Sequence, residues 1–120
     1  WILKQLERYK DHGLGHLAVI KKSTGEFIGM GGLIPRELND KLEYEIAYSL
    51  KPKYWKNGYA IEVARQMKHF GQQTKIAKSF ISIIDKNNFA SINVAKKNNM
   101  VVISVTDFQC MNVFVYGCHL

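Results

Sequence analysis

Apolar and polar positions divide the chain into segments of different period. Ile2, Leu3 and Leu6 recur at helical spacing and the breakers Gly13 and Gly15 follow, so the end of a helix is expected over Ile2 to Tyr9. A strand from about His16 to Lys22 comes next. Ser23-Thr24-Gly25-Glu26 has turn chemistry and leads into the apolar run from Phe27 to Ile34, which predicts an antiparallel hairpin. Gly29, Gly31 and Gly32 inside its second strand call for a bulge or a close backbone neighbour. Pro35 to Lys41 reads as a polar connection. From Glu43 to Leu50 the alternation is clean. Tyr44, Ile46, Tyr48 and Leu50 share one face, and Glu43, Glu45, Ala47 and Ser49 the other, so two carboxylates lie on one side of a strand.

Pro52 stops that strand. From Gly58 onward, Ala60, Val63, Ala64, Met67 and Phe70 follow the spacing of an amphipathic helix, expected to end near Gly71. Phe80 to Ile84 is nearly all apolar and β-branched, as central parallel strands buried on both faces are. A second helix is expected from Phe89 to about Asn98, with Asn88 as its N-cap. Strands over Val101 to Thr106 and Asn112 to Tyr116 finish the chain. The order is helix, three antiparallel strands, helix, strand, helix, two strands. That is an α/β chain with a mixed, mostly antiparallel central sheet and flanking helices.

With 120 residues and 47% apolar content the chain suits one packed core, so residues 1–120 are expected to form a single domain. The first residue is Trp1 rather than Met, and N-terminal elements are expected to be missing. Charged or amide side chains interrupt every apolar run before it reaches the ~20 residues of a membrane-spanning helix. Cys110 and Cys118 are too few for a disulfide framework and lack zinc spacing, which favours a reducing, cytoplasmic setting. His12, His16, His69 and His119 are scattered, and no metal site is expected. A net charge of +7 and a pI near 9.5 point to an anionic ligand. The lysines occur in short clusters with no continuous basic stripe of stacking aromatics, so a nucleic-acid module is disfavoured and a polyphosphate compound suits the charge.

The most informative stretch is the strand to Leu50, the loop Lys51 to Asn57, and the helix entered at Gly58. Loop N–H groups and the first unsatisfied N–H groups of the helix point one way and form an anion site, which Lys53 and Lys56 reinforce. Two common phosphate motifs are excluded: no G-x-x-x-x-G-K-[ST] loop occurs, and Gly29-Met30-Gly31-Gly32 is followed by Pro35 rather than by a helix.

These residues resemble a known family. Glu45-Ile46-Ala47-Tyr48, then Pro52-Lys53-Tyr54-Trp55-Lys56-Asn57-Gly58-Tyr59-Ala60 with Glu62 and Ala64, is similar to the acetyl-CoA segment of the GNAT family of N-acetyltransferases, especially its branch that modifies ribosomal-protein N-termini. Asn88-Phe89-Ala90-Ser91 through Lys97, with Met100, resembles that branch's second signature. Thr24-Gly25-Glu26-Phe27-Ile28-Gly29 with Gly32-Leu33 resembles its preceding hairpin. Three segments match in order over nearly the whole chain. There are departures: Trp55 takes the position usually held by Gln or Arg, Lys56 stands where the branch usually has Gly, and Asn99 stands where a Gly usually precedes the Met.

The resemblance implies the acyl-CoA N-acyltransferase fold, lacking its first strand and helix, and transfer of an acetyl group from acetyl-CoA to a primary amine. It implies pyrophosphate binding by Trp55, Lys56, Asn57, Gly58, Tyr59 and Ala60. Backbone of Ile46, Ala47 and Tyr48 would hold the pantetheine arm, one N–H facing the thioester oxygen, with Asn88 a further contact. Glu45 would be the general base through water, with Glu43 behind it on the same face. Ser91 substitutes for the Tyr that many relatives use to protonate the thiolate. A non-catalytic coenzyme A-binding remnant of the same fold is the alternative. The acceptor stays open between a protein N-terminus and a small-molecule amine, and so does association into a homodimer.

Overall fold

The first two strands are β1 (His16–Ile20) and β2 (Phe27–Leu38), preceded by helix α1 (Ile2–His12). They form the expected antiparallel hairpin in a computed structural model that describes residues 2–119. Trp1 and Leu120, and the side chains of Ile2, Gln5, His12 and His119, lie outside the described residues. β3 (Lys41–Leu50) and a 3₁₀ turn (Pro52–Tyr54) lead to α2 (Tyr59–Thr74), then β4 (Ser79–Asp85), α3 (Phe89–Lys97), β5 (Val101–Phe108) and β6 (Met111–His119). The six strands make one mixed sheet in the order β1-β2-β3-β4-β6-β5. All neighbours are antiparallel except β3 and β4. No helix among the described residues is long and apolar enough to cross a membrane.

The polar connection expected from Pro35 to Lys41 is a tight hairpin instead. Asn39 and Asp40 both adopt positive φ, 52° and 64°, the geometry of a two-residue turn matched to strand twist. Strand pairing therefore runs on to Leu38 and Lys41. Pro35 survives inside β2 because of the ladder's phase. Lys51 N–H donates to the Ile28 carbonyl at 2.9 Å, which turns the even residues of β2 toward β3 and the odd ones away. Pro35 thus faces the side beyond the end of β1, where no ladder bond is lost. Gln109 and Cys110, at φ 48° and 65°, make the same kind of turn between β5 and β6, so these strands too are longer than expected.

The main core joins Leu33 and Ile46 of the sheet's centre to Ala64 of α2, Phe80 and Ile84 of β4, and Ile92 of α3. Helices α2 and α3 thus cover one face. The glycines of β2 serve close approach: a Cβ on Gly31 would lie 2.4 Å from Val63 of α2, and one on Gly32 would lie 2.2 Å from the Gly15 carbonyl oxygen. Glu45 projects from the opposite face, on the side of α1, whose Arg8 is near enough to feel its charge.

Gly71 does not end α2. It is buried within the helix, which continues to Thr74, and a Cβ there would sit 2.2 Å from Cζ of the fully buried Phe80 ring. The missing side chain is what lets α2 lie on β4. Gly71→Ala should therefore destabilise the fold by about 1–3 kcal/mol despite alanine's better helix propensity, read as a lower denaturation midpoint. Adding Phe80→Leu to it should recover part of the loss. An unchanged or raised midpoint for the single variant would contradict this packing.

Candidate active site

β3 and β4 run parallel but stay in register only at Glu45 and Ile81. Beyond that point the strands part. The ladder phase that turns Ala47 and Ser49 toward β2 turns Ile46 and Tyr48 toward β4; Ile46 flanks the one paired position, so the groups exposed by the parting are those of Tyr48. Of the three backbone positions expected to hold an extended ligand, Ala47 is committed to Gly32 across the ladder. The Ile46 carbonyl is taken by the buried Ser82 hydroxyl of β4 at 2.9 Å, a cross-strand tie at the start of the gap. Ser82 is a site residue that sequence reasoning missed.

Two cavities meet at this gap. The smaller, about 190 Å³, lies between the strands, with Arg36, Glu45, Ile46, Ala47 and Ser82 in its wall. The larger, about 930 Å³, runs between the N-terminal ends of α2 and α3. Tyr48, Asp85, Asn88 and Ser91 line both, so the path is continuous from the helix ends to the carboxylate.

The larger cavity is bordered by Trp55, Lys56 and the first turn of α2 on one side and by Asn88, Phe89 and Lys97 on the other. The first helical hydrogen bond runs from Glu62 N–H to the Gly58 carbonyl at 3.2 Å, and the N-cap Gly58 (φ 80°) supplies no side chain for the N–H groups of Tyr59, Ala60 and Ile61. Those donors and the positive end of the helix dipole suit an anion. Lys97 of α3 joins Lys56 at this groove. Lys53 does not, lying 3.7 Å from Glu26 at the hairpin. Asn57 is also outside the groove, its amide donating to the Tyr54 and Trp55 carbonyls and shaping the loop. Trp55, anchored by its indole N–H to the Leu50 carbonyl, and Phe89 leave 59% and 71% of their surfaces exposed at the groove's mouth.

At the gap, Glu45 is buried and both its oxygens are engaged: Arg36 Nε donates to Oε1 at 2.8 Å and Ile83 N–H to Oε2 at 3.3 Å. Glu43, two residues along, lies outside both cavities, with Lys41 Nζ 3.9 Å from its carboxylate. Asn88 caps α3 by accepting from Ser91 N–H at 3.2 Å. The Tyr48 hydroxyl donates to the Ser91 carbonyl at 2.9 Å. Burial first, then Glu45 and Tyr116, hold the Tyr48 phenol above its ordinary pKa, so it remains a neutral donor at physiological pH.

Residues 1–101 match the acetyltransferase (GNAT) domain family. The chain belongs to the GNAT acetyltransferase family. It is 33% identical over 100 residues to the uncharacterized protein YkkB of Bacillus subtilis, covering 83% of this chain and 58% of that protein. The GNAT chain thus spans under two thirds of that relative's length. Its fold is similar to an acetyltransferase of Agrobacterium tumefaciens, with TM-score 0.83 and 23% identity over 97% of this chain and 67% of the other. It is likewise similar to RimL, a ribosomal L7/L12 alpha-N-protein acetyltransferase solved in complex with coenzyme A, at TM-score 0.78 and 16% identity over 99% and 69%.

The two departures from the family's glycine pattern have one physical basis. Lys56 has φ 64° and Asn99 has φ 61°, both in the left-handed region that glycine enters without penalty. Both positions hold the conformation that favours glycine although neither residue is one. Asn tolerates this conformation, whereas Lys at 56 carries strain of about 1 kcal/mol or more. Lys56→Gly should therefore leave the fold as stable or raise its denaturation midpoint, while Lys56→Val, β-branched at positive φ, should lower it. A midpoint that falls with glycine would show that the lysine side chain holds the loop.

Proposed function

We infer that this chain transfers the acetyl group of acetyl-CoA to a primary amine, a protein N-terminus or a small molecule. The observation that carries this reading is the continuous path from the uncapped start of α2, through the parted strands, to the Glu45 carboxylate. The solved coenzyme A complex of a protein with the same fold supports it. Acetyl-CoA supplies an activated thioester; the chain must bind, orient and move protons.

The N–H groups at the start of α2, with Lys56 and Lys97, hold the pyrophosphate. Backbone groups of Tyr48 that face the gap take the pantetheine arm as an added strand would, with an N–H there facing the thioester oxygen as charge develops on it. Glu45 accepts the amine's proton through a water, on a lone pair that the hydrogen bonds from Arg36 and the Ile83 N–H leave open. Glu43, two residues along the same face of the strand, is the reserve. Ser91 lies where the two cavities join, and its hydroxyl makes no hydrogen bond among the described residues, so it relays a proton to the leaving thiolate while Tyr48 is occupied with the Ser91 carbonyl. The free thiols of Cys110 and Cys118 accord with a reducing cytoplasm.

Glu45→Gln should lower the turnover rate by roughly 10²-fold or more at neutral pH with acetyl-CoA affinity nearly intact, and Glu43→Gln should do less. The deficit should shrink at high pH, where more of the amine is already neutral. Steady-state rates across pH, with melting curves to register the loss of Arg36's partner, check this. Unchanged turnover in a folded Glu45→Gln protein would remove Glu45 as the base.

A further inference from the structure

Arg36 sits at the end of the gap that the cofactor path does not use. It lies directly across the ladder from Glu43 and diagonally from Glu45, within reach of a long side chain. Its Nε donates to Glu45, and its guanidinium carbon lies 5.5 Å from the centre of the Phe108 ring. The carboxylate on one edge and the ring on the guanidinium's face fix its plane. Among the described residues the two terminal nitrogens make no hydrogen bond, although the side chain is only 20% exposed and borders the small cavity. A half-buried fork of unused donors is therefore presented beside the carboxylate.

The surrounding charge has the same sense. Arg8 and His16 also face this cluster, and each has its pKa lowered by burial first and then by neighbouring arginine charge. Glu43 shares this face of β3, and Lys41 stands beside it. A substrate with a second ammonium group would meet Arg36 at close range and be repelled. One with an anion next to its amine would match the adjacent Glu45 and Arg36 charge for charge.

We propose that the acceptor is an amine bearing a carboxylate close to the reacting nitrogen, of the α-amino acid type, with the Arg36 fork binding the carboxylate and the amine directed to the Glu45 side. This rests on the acetyl-transfer reading above. The neutral nitrogen bonds to the acetyl carbonyl carbon as the carbon–sulfur bond breaks; the nitrogen's surplus proton leaves toward Glu45 and the thiolate takes up a proton. The products are an N-acetyl amino acid and coenzyme A.

The test is a panel of L-amino acids, their amides, their decarboxylated amines, alanyl-alanine and spermidine, each incubated with the chain and acetyl-CoA. Coenzyme A release and acetylated product are measured, and kcat/KM is expressed per neutral amine. The best amino acid should exceed its own amide and decarboxylated amine by about tenfold or more, the scale of one charge-assisted bidentate contact. Arg36→Lys, which keeps the charge and loses the fork, should bring the acid-to-amide ratio toward one. Equal rates with acid and amide, a preference for spermidine, or a dipeptide as good as the free acid would each overturn the proposal, with no need of the variant. If acetyl-CoA binds in a titration and no amine is acetylated, the acetyl-transfer reading fails and this proposal with it. Acetylation of amines without carboxylate preference would leave that reading standing and remove this one.

Discussion

The parting of β3 from β4 is the constraint on which the rest of the site depends. Two parallel strands that stay paired leave no room between them and no backbone group to spare. Here pairing stops after Glu45 and Ile81, and the Ser82 hydroxyl ties the Ile46 carbonyl at the point where the ladder ends. One such bond contributes about 1 kcal/mol net, yet an unsatisfied buried carbonyl would cost more, so the tie makes an open sheet tolerable. The parting also opens the central sheet to the groove between α2 and α3 while Glu45 and Arg36 stand on the face toward α1. On the acetyl-transfer reading, acetyl-CoA and the amine approach from opposite sides of one sheet.

In the proposed reaction the helix ends and the gap divide the chemistry between them. Binding of an anion rests on backbone: an uncapped first turn at Gly58 to Ile61, assisted by Lys56 and Lys97. The proton handling proposed for Glu45 and Ser91 rests on groups held by long-range packing. Glu45 is fixed between Arg36 of the neighbouring strand and the Ile83 N–H of the next, and Ser91 is fixed by the Asn88 cap and the Tyr48 hydroxyl. A rigid carboxylate in a gap of about 190 Å³ leaves little freedom for a misplaced acceptor.

Much of this was legible in the residue pattern because it is local. Alternation from Glu43 to Leu50 assigned the two faces of β3 correctly, and the loop before Gly58 announced the helix start. The Asn88 cap, too, follows from residues a few positions apart. What escaped depends on partners distant in sequence or on conformation that composition does not signal. Pro35 reads as a breaker until the ladder's phase shows that its missing donor is not needed, and only the Asn39-Asp40 turn fixes the register that brings Arg36 to Glu45. Gly71 looks like a helix end unless Phe80 is known to lie beneath it. Ser82 carries no motif, and Lys53 and Lys56, alike in the pattern, part company because one meets Glu26.

Titration of the chain with acetyl-CoA, followed by calorimetry and by thermal melting, tests the central claim most directly, since a ligand that binds only the folded state adds about 2.7 kcal/mol at a hundredfold excess over its Kd. The unaltered chain should bind and melt higher. Gly58→Glu, which places bulk and negative charge at the uncapped helix start, should lose that response, while Lys22→Glu, an exposed change of the same sign elsewhere, should keep it. No shift in a well-folded sample, or equal losses from the two substitutions, would contradict the account.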